Sequence, residues 1–179
     1  MVEPIRILTL WDPWATLAAF GLKGNETRPW GTKWRGLLAI HASKRLTWDD
    51  AHRVVESPFA EALASVGAND PDAWPRGAVI AIAELTAVER ILRVGPDERP
   101  VTCDVRRGYH PHGPRDVVTV GSVPLTDERE LAFGLYCTGR WSWKLERVRR
   151  TWPVSVRGQQ GLRVWAPVEP IEWLEVGAC

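Results

Sequence analysis

An α+β protein built around a partly closed mixed β-barrel with short flanking helices is the fold the sequence predicts. Three observations point there. Apolar runs are short and separated by Pro and Gly, a few helix-start signals sit between them, and the strand-plus-long-helix alternation of a doubly wound sheet is missing.

The first run, Ile5 to Leu10, reads as a strand. Asp12-Pro13 follows, an N-cap residue before a proline at the first helical position, and predicts a helix from Pro13 to Phe20. Gly21 closes it as a left-handed C′ residue. Trp34 to Ala42 reads as a buried strand. Thr47 with Asp50 three residues on resembles a capping box, and Ser57-Pro58 divides the following helical pattern into two short helices or one kinked one. Ala78 to Val88 is apolar or small at both parities, as in a strand covered on both sides, and Glu84 sits inside it.

Residues 91–125 carry five prolines and no sustained period, which predicts an insertion beside a cleft in an otherwise single domain spanning 1–179. Thr126 is expected to cap a helix ending at Phe133. Beyond Gly134, Trp141, Trp143 and Leu145 alternate with Ser142, Lys144 and Glu146, the pattern of a half-buried strand. Val154 to Val156 and Leu162 to Trp165 read as two more short strands around Arg157-Gly158-Gln159-Gln160-Gly161.

Composition bounds the function. A hydrophobic content of 45% is enough for a core, and no segment approaches the roughly 20 apolar residues of a spanning helix, so a cytoplasmic monomer without membrane contact is expected. Cys103, Cys137 and Cys179 are odd in number and widely spaced, which predicts reduced thiols. Cys103, His110 and His112 match no zinc spacing, so neither a metal nor another cofactor is expected. A net charge of +1 argues against holding duplex DNA by mass phosphate neutralisation. The basic residues are nevertheless local: seven fall between Arg140 and Arg163 against one acid, Glu146. Eleven tryptophans supply mostly core, with a few indoles left over for stacking on bases.

The sharpest local feature is Gly21-Leu22-Lys23-Gly24-Asn25-Glu26-Thr27-Arg28. If this edge is extended, Glu26 and Arg28 point to one side and Lys23 precedes them across a glycine-containing bend. Converging charges of this kind suit phosphate or a base edge. Glu84, in an apolar strand, must be paired or sit at a strand end, with Lys23, Arg28 and Arg140 as candidate partners. Trp11 and Trp30 flank the motif as stacking candidates, whereas Trp14 reads as core and His41 as a satisfied core histidine. Arg140, Lys144, Arg147 and Arg157 would track a nucleic-acid backbone.

G-x-K-x-x-E-x-R, preceded by LTLWDPWATLAAFGL and followed by WRGLLAIHASK, resembles the signature of the ASCH family within the PUA-like superfamily. The block from Phe133-Gly134 through Arg140-Trp141-Ser142-Trp143 to Pro153-Val154 and Arg157 to Gly161 looks like the C-terminal half of a longer ASCH group found in bacteria and phages. The resemblance implies a barrel with a cleft in which the motif residues contact RNA, single-stranded nucleic acid or a modified nucleoside. It also implies an enzymatic alternative: an amidohydrolase of N-acylated cytidines, or a metal-independent ribonuclease, with Lys23 and Glu84 catalytic. Glu26 stands where such amidases carry threonine, and a second carboxylate near Lys23 favours its charged form, which suits binding. A protein-interaction accessory domain is the third class.

Overall fold

In a computed structural model, residues 5–102, 116–168 and 170–174 are described. They form β1 (Ile5–Leu10), α1 (Trp14–Ala19), β2 (Asn25–Arg28), β3 (Gly36–Ala42), α2 (Trp48–His52), α3 (Phe59–Ala64), β4 (Ala78–Val94), β5 (Val117–Val120), β6 (Val123–Pro124), α4 (Glu128–Ala132), β7 (Trp141–Ser155) and β8 (Arg163–Trp165). The chain divides into two compact units. The first takes the residues up to Lys23, Gly36–Leu85 and those from Glu146 onward; the second takes Gly24–Arg35 and Thr86–Leu145.

The expected barrel is not formed. Hydrogen-bonded strands run in the order β2-β7-β4-β3-β1-β8, with β5 on β4 and β6 on β5, so the mixed sheet is open and its end strands β2 and β8 are not paired with each other. The reason lies in strand length. The runs read from the sequence as several short strands merge into two long ones, β4 of 17 residues and β7 of 15. The ends of the order are left to a four-residue β2 and a three-residue β8. Closure needs edge strands that pair along a consistent stagger, and these offer few groups to pair.

In the first unit β1 lies parallel to β3, with β8 antiparallel on β1 and β4 antiparallel on β3. One core cluster there joins Ile5, Ile7, Ala39, Val79 and Ile82; Ile5 and Ile7 share a face because alternate strand residues do, whereas Val79 and Ile82, three apart, reach one cluster across an irregular stretch of β4. The register of β3 on β4 shifts between Ile40 and His41. Helix α1 buries Ala15, Leu17 and Ala18 completely and ends at Gly21, whose φ of 70° is the left-handed value expected of a C′ glycine. Thr47 caps α2, its hydroxyl accepting from the Asp50 N–H at 3.1 Å and donating to the Asp50 carboxylate at 2.6 Å. The pattern broken at Ser57-Pro58 resolves into two helices, α2 and α3, joined by a 3-10 turn.

Asp12 is buried in this unit. Its Oδ1 accepts from the Thr16 N–H at 3.0 Å and the Thr16 hydroxyl at 2.7 Å, while Oδ2 has no hydrogen-bond partner. Burial raises the Asp12 pKa above the ordinary carboxylate value, and the Thr16 bonds and Arg76 only partly offset it. A native state that binds this proton more tightly than the unfolded chain has its full contribution at acid pH, below about 3.9. That contribution is lost as pH rises through the folded pKa. Asp12→Asn is therefore expected to remove this falling component from a plot of unfolding free energy against pH, and an unchanged slope would contradict it.

In the second unit β2 pairs antiparallel with the start of β7, and the end of β4 pairs with β5. The sequence marked Ile91 onward as irregular, yet Ile91–Val94 continue β4 and bond to Val117–Val120, with Ile91, Val118 and Tyr136 forming a core. Residues 103–115 of that stretch, with Cys103, His110 and His112, lie outside the described residues. Asp127, not Thr126, caps α4, accepting from the N–H groups of Arg129 and Glu130 at 2.9 and 3.2 Å. Cys137 is fully buried and disulfide-bonded, which corrects the expectation of reduced thiols. Wide spacing along the chain says little about distance in space.

Candidate nucleic-acid interface

In the second unit, β2 is an end strand with its charged residues built into the pleat. Glu26 and Arg28 lie opposite Trp143 and Trp141 in the register, and they share a face, as residues two apart in a strand must. Arg28 Nε sits 3.1 Å from Glu26 Oε1, within ion-pair range though off the angle of a hydrogen bond. Glu26 is almost fully buried. Arg140, just before β7, donates from Nη2 to the Thr27 carbonyl at 3.1 Å, and its Nε is buried with no hydrogen-bond partner. Burial lowers the Arg140 pKa; the Glu26 carboxylate works against that and the Arg28 charge adds to it. Arg28 thus pairs with the buried Glu26 carboxylate, and Arg140 is bonded to the backbone of Thr27, the residue between them.

The frame behind this cluster was not read from the sequence. The Glu130 carboxylate accepts from the N–H groups of Gly24 and Asn25 at 2.7 and 3.1 Å and from the Tyr136 hydroxyl at 2.9 Å. It ties α4 to the entry of β2. The one available signal was Asp127 three residues ahead of Glu130, the spacing of a capping box. The Leu135 N–H donates to the Thr27 hydroxyl at 3.0 Å, and the Ser142 hydroxyl reaches Asn25 Oδ1 at 3.1 Å. Trp30 is half-buried, packed edge-to-face on the fully buried Trp143 with centroids 4.7 Å apart, and its carbonyl accepts from the Trp143 indole N–H at 3.2 Å. Lys144 is exposed on β7 opposite Asn25.

In the first unit, Lys23 is 1% exposed, among the largest fully buried side chains, and its backbone N–H closes the turn after α1 on the Leu17 carbonyl. An ammonium so placed must be compensated inside the fold. Glu84 lies opposite Leu37 in the β3–β4 register and meets Arg147, whose Nε donates to Oε2 at 2.6 Å and whose Nη2 lies 2.5 Å from the same oxygen. Arg147 was not among the partners the sequence suggested. Its backbone has a left-handed φ of 50°, a costly conformation for a non-glycine residue. His41 is buried, its Nε2 3.0 Å from the Val156 carbonyl oxygen, and burial lowers its pKa. Trp14 packs edge-on against Phe59. Trp11 and Arg157 are exposed. Among the described residues no three metal-ligating side chains converge, and no helix there is long and apolar enough to cross a membrane.

Fold and cluster together define an open mixed-sheet α+β protein with a carboxylate–guanidinium cluster on an end strand. No protein-family model matches the chain, and no curated protein matches it in sequence.

Proposed function

We propose that this chain is an ASCH-type binding protein for RNA, single-stranded nucleic acid or a modified nucleoside. The observation that carries the reading is the Glu26–Arg28–Arg140 cluster. Its buried carboxylate can accept from an exocyclic amine, its guanidiniums can donate to phosphate or carbonyl oxygens, and Arg140 Nε is a donor not yet used. Exposed Lys144 on the neighbouring strand suits contact with a flanking phosphate. The engagement of Glu84 by Arg147 supports binding over hydrolysis, since a carboxylate already held by a guanidinium is a poor proton relay for Lys23. The same reading takes the chain as a cytoplasmic monomer. The bond at Cys137 weighs against that location, and cell fractionation checks it.

Replacing Arg28 and Arg140 together by Gln should weaken binding to short RNA, DNA and modified nucleosides at least about tenfold. For an oligonucleotide it should also flatten the dependence of log affinity on log salt by about one to two phosphate contacts. Fluorescence anisotropy at several salt concentrations measures both. Unchanged affinity in the double variant, with its melting temperature retained, would refute the reading.

A further inference from the structure

The parallel pair β1 and β3 leaves the first unit's sheet at a common edge, and the carboxyl ends of adjacent parallel strands are where open sheets leave room for ligands. Trp11 stands at the exit of β1, 48% exposed. At the exit of β3 the chain turns through Ser43-Lys44-Arg45. That turn is pinned: the Ser43 N–H donates to the Leu10 carbonyl at 2.8 Å and the Arg45 N–H to the Ser43 hydroxyl oxygen at 3.1 Å. The Arg45 guanidinium lies over the Trp11 ring, 4.7 Å from its centroid.

Lys44 is aimed by a glycine. Gly77 has a φ of +66°, and a Cβ there would fall 2.6 Å from Lys44 Cγ, so the lysine stem crosses bare backbone. Arg53, Arg76, Arg93, Arg99 and Arg147 each meet a carboxylate. Among the described residues Lys44 and Arg45 meet none, although both are exposed. Two cations that meet no carboxylate among the described residues, beside an exposed indole, match a flat group that carries an anion.

We infer that this edge is a second nucleic-acid contact, specific to single strands: an unstacked base lies on Trp11 in the place the Arg45 guanidinium now holds, and Arg45 and Lys44 take the adjoining phosphate. The inference rests on the nucleic-acid reading above and deepens it by naming the strandedness and the stacking residue. Aromatic stacking accepts any base and needs one free of its duplex neighbours, so a duplex of the same sequence binds less tightly.

The test uses the whole chain, a fluorescein-labelled ten-nucleotide RNA, its DNA counterpart and the matching duplex, with anisotropy read at several salt concentrations. Trp11→Ala should weaken single-strand binding about tenfold and Trp11→Phe should restore most of it. Lys44→Gln with Arg45→Gln should lower the salt dependence by one to two contacts. All these side chains are exposed, so melting temperatures should stay near that of the unaltered protein. Loss of binding in Trp11→Ala but not in the Arg28 and Arg140 double variant upholds this edge and overturns the β2 cluster. The opposite pattern overturns the edge alone, equal affinity for duplex and single strand overturns the stacking, and failure of the unaltered protein to bind any probe overturns both readings.

Discussion

Asp116→Asn is expected to lower the unfolding free energy by about 3–5 kcal/mol, the usual cost of stripping a buried charge of its partner. The Arg93 and Asp116 side chains are only 4% and 7% exposed. Arg93 Nε donates to Asp116 Oδ2 at 2.9 Å and Nη2 meets the same oxygen. The backbone of Arg93 is engaged as well: its N–H donates to the Thr138 hydroxyl oxygen at 3.0 Å, and its carbonyl accepts from the Thr138 hydroxyl and the Val101 N–H at 2.9 and 2.7 Å. The backbone that carries the guanidinium is therefore held in place at the end of β4. Asparagine removes the counter-charge and leaves the cation in place. Replacing both partners by apolar residues of similar volume, Arg93→Met with Asp116→Leu, should recover most of the loss, because the desolvation cost of both ions disappears with them. Urea unfolding at pH 7 measures both variants. A loss under about 1 kcal/mol for Asp116→Asn would show that the pair is more solvated than its burial indicates.

Glu130→Ala comes next, with an expected loss of about 3 kcal/mol. Three donors depend on this carboxylate: the N–H groups of Gly24 and Asn25 and the hydroxyl of Tyr136. Each donor left unsatisfied away from water costs about 1–3 kcal/mol, and partial relaxation keeps the sum below three full penalties. A second readout separates lost hydrogen bonds from general loosening. Burial holds the Tyr136 phenol well above its ordinary pKa, and the Glu130 charge and hydrogen bond push it further. Removing Glu130 should therefore bring the phenol's ionisation back toward the ordinary range. The chain has two tyrosines, so an ultraviolet pH titration resolves the change. Tyr136→Phe, which deletes one of the three bonds and strands no backbone donor, should cost about 1 kcal/mol. If Glu130→Ala were no worse than Tyr136→Phe, the tie from α4 to β2 would contribute little.

The local devices were legible because they are written in neighbouring residues. Gly21 stops α1, Thr47 and Asp50 cap α2, and Ser57-Pro58 breaks the pattern before α3, each through chemistry confined to a few consecutive residues. The shared face of Glu26 and Arg28 also follows from the period of two along any strand.

What crosses the chain was not legible. The partner of Glu84 is Arg147, 63 residues away, and a period cannot choose among the many arginines available. Cys137 carries a disulfide that spacing did not announce. The open sheet belongs to the same class of outcome: apolar runs read one by one gave a list of short strands, while pairing joined neighbouring runs into β4 and β7 and left β2 and β8 short. By itself, then, the sequence determined where α1 stops and where α2 starts, which residues alternate on a strand, and which charges stand close along the chain. The tertiary structure alone decided which carboxylate meets which guanidinium, which donors Glu130 satisfies, and that the sheet stays open. The physical reason is that helix caps and strand periods are set by covalent neighbours, whereas ion pairs, buried networks and strand partners are set by residues that only packing brings together.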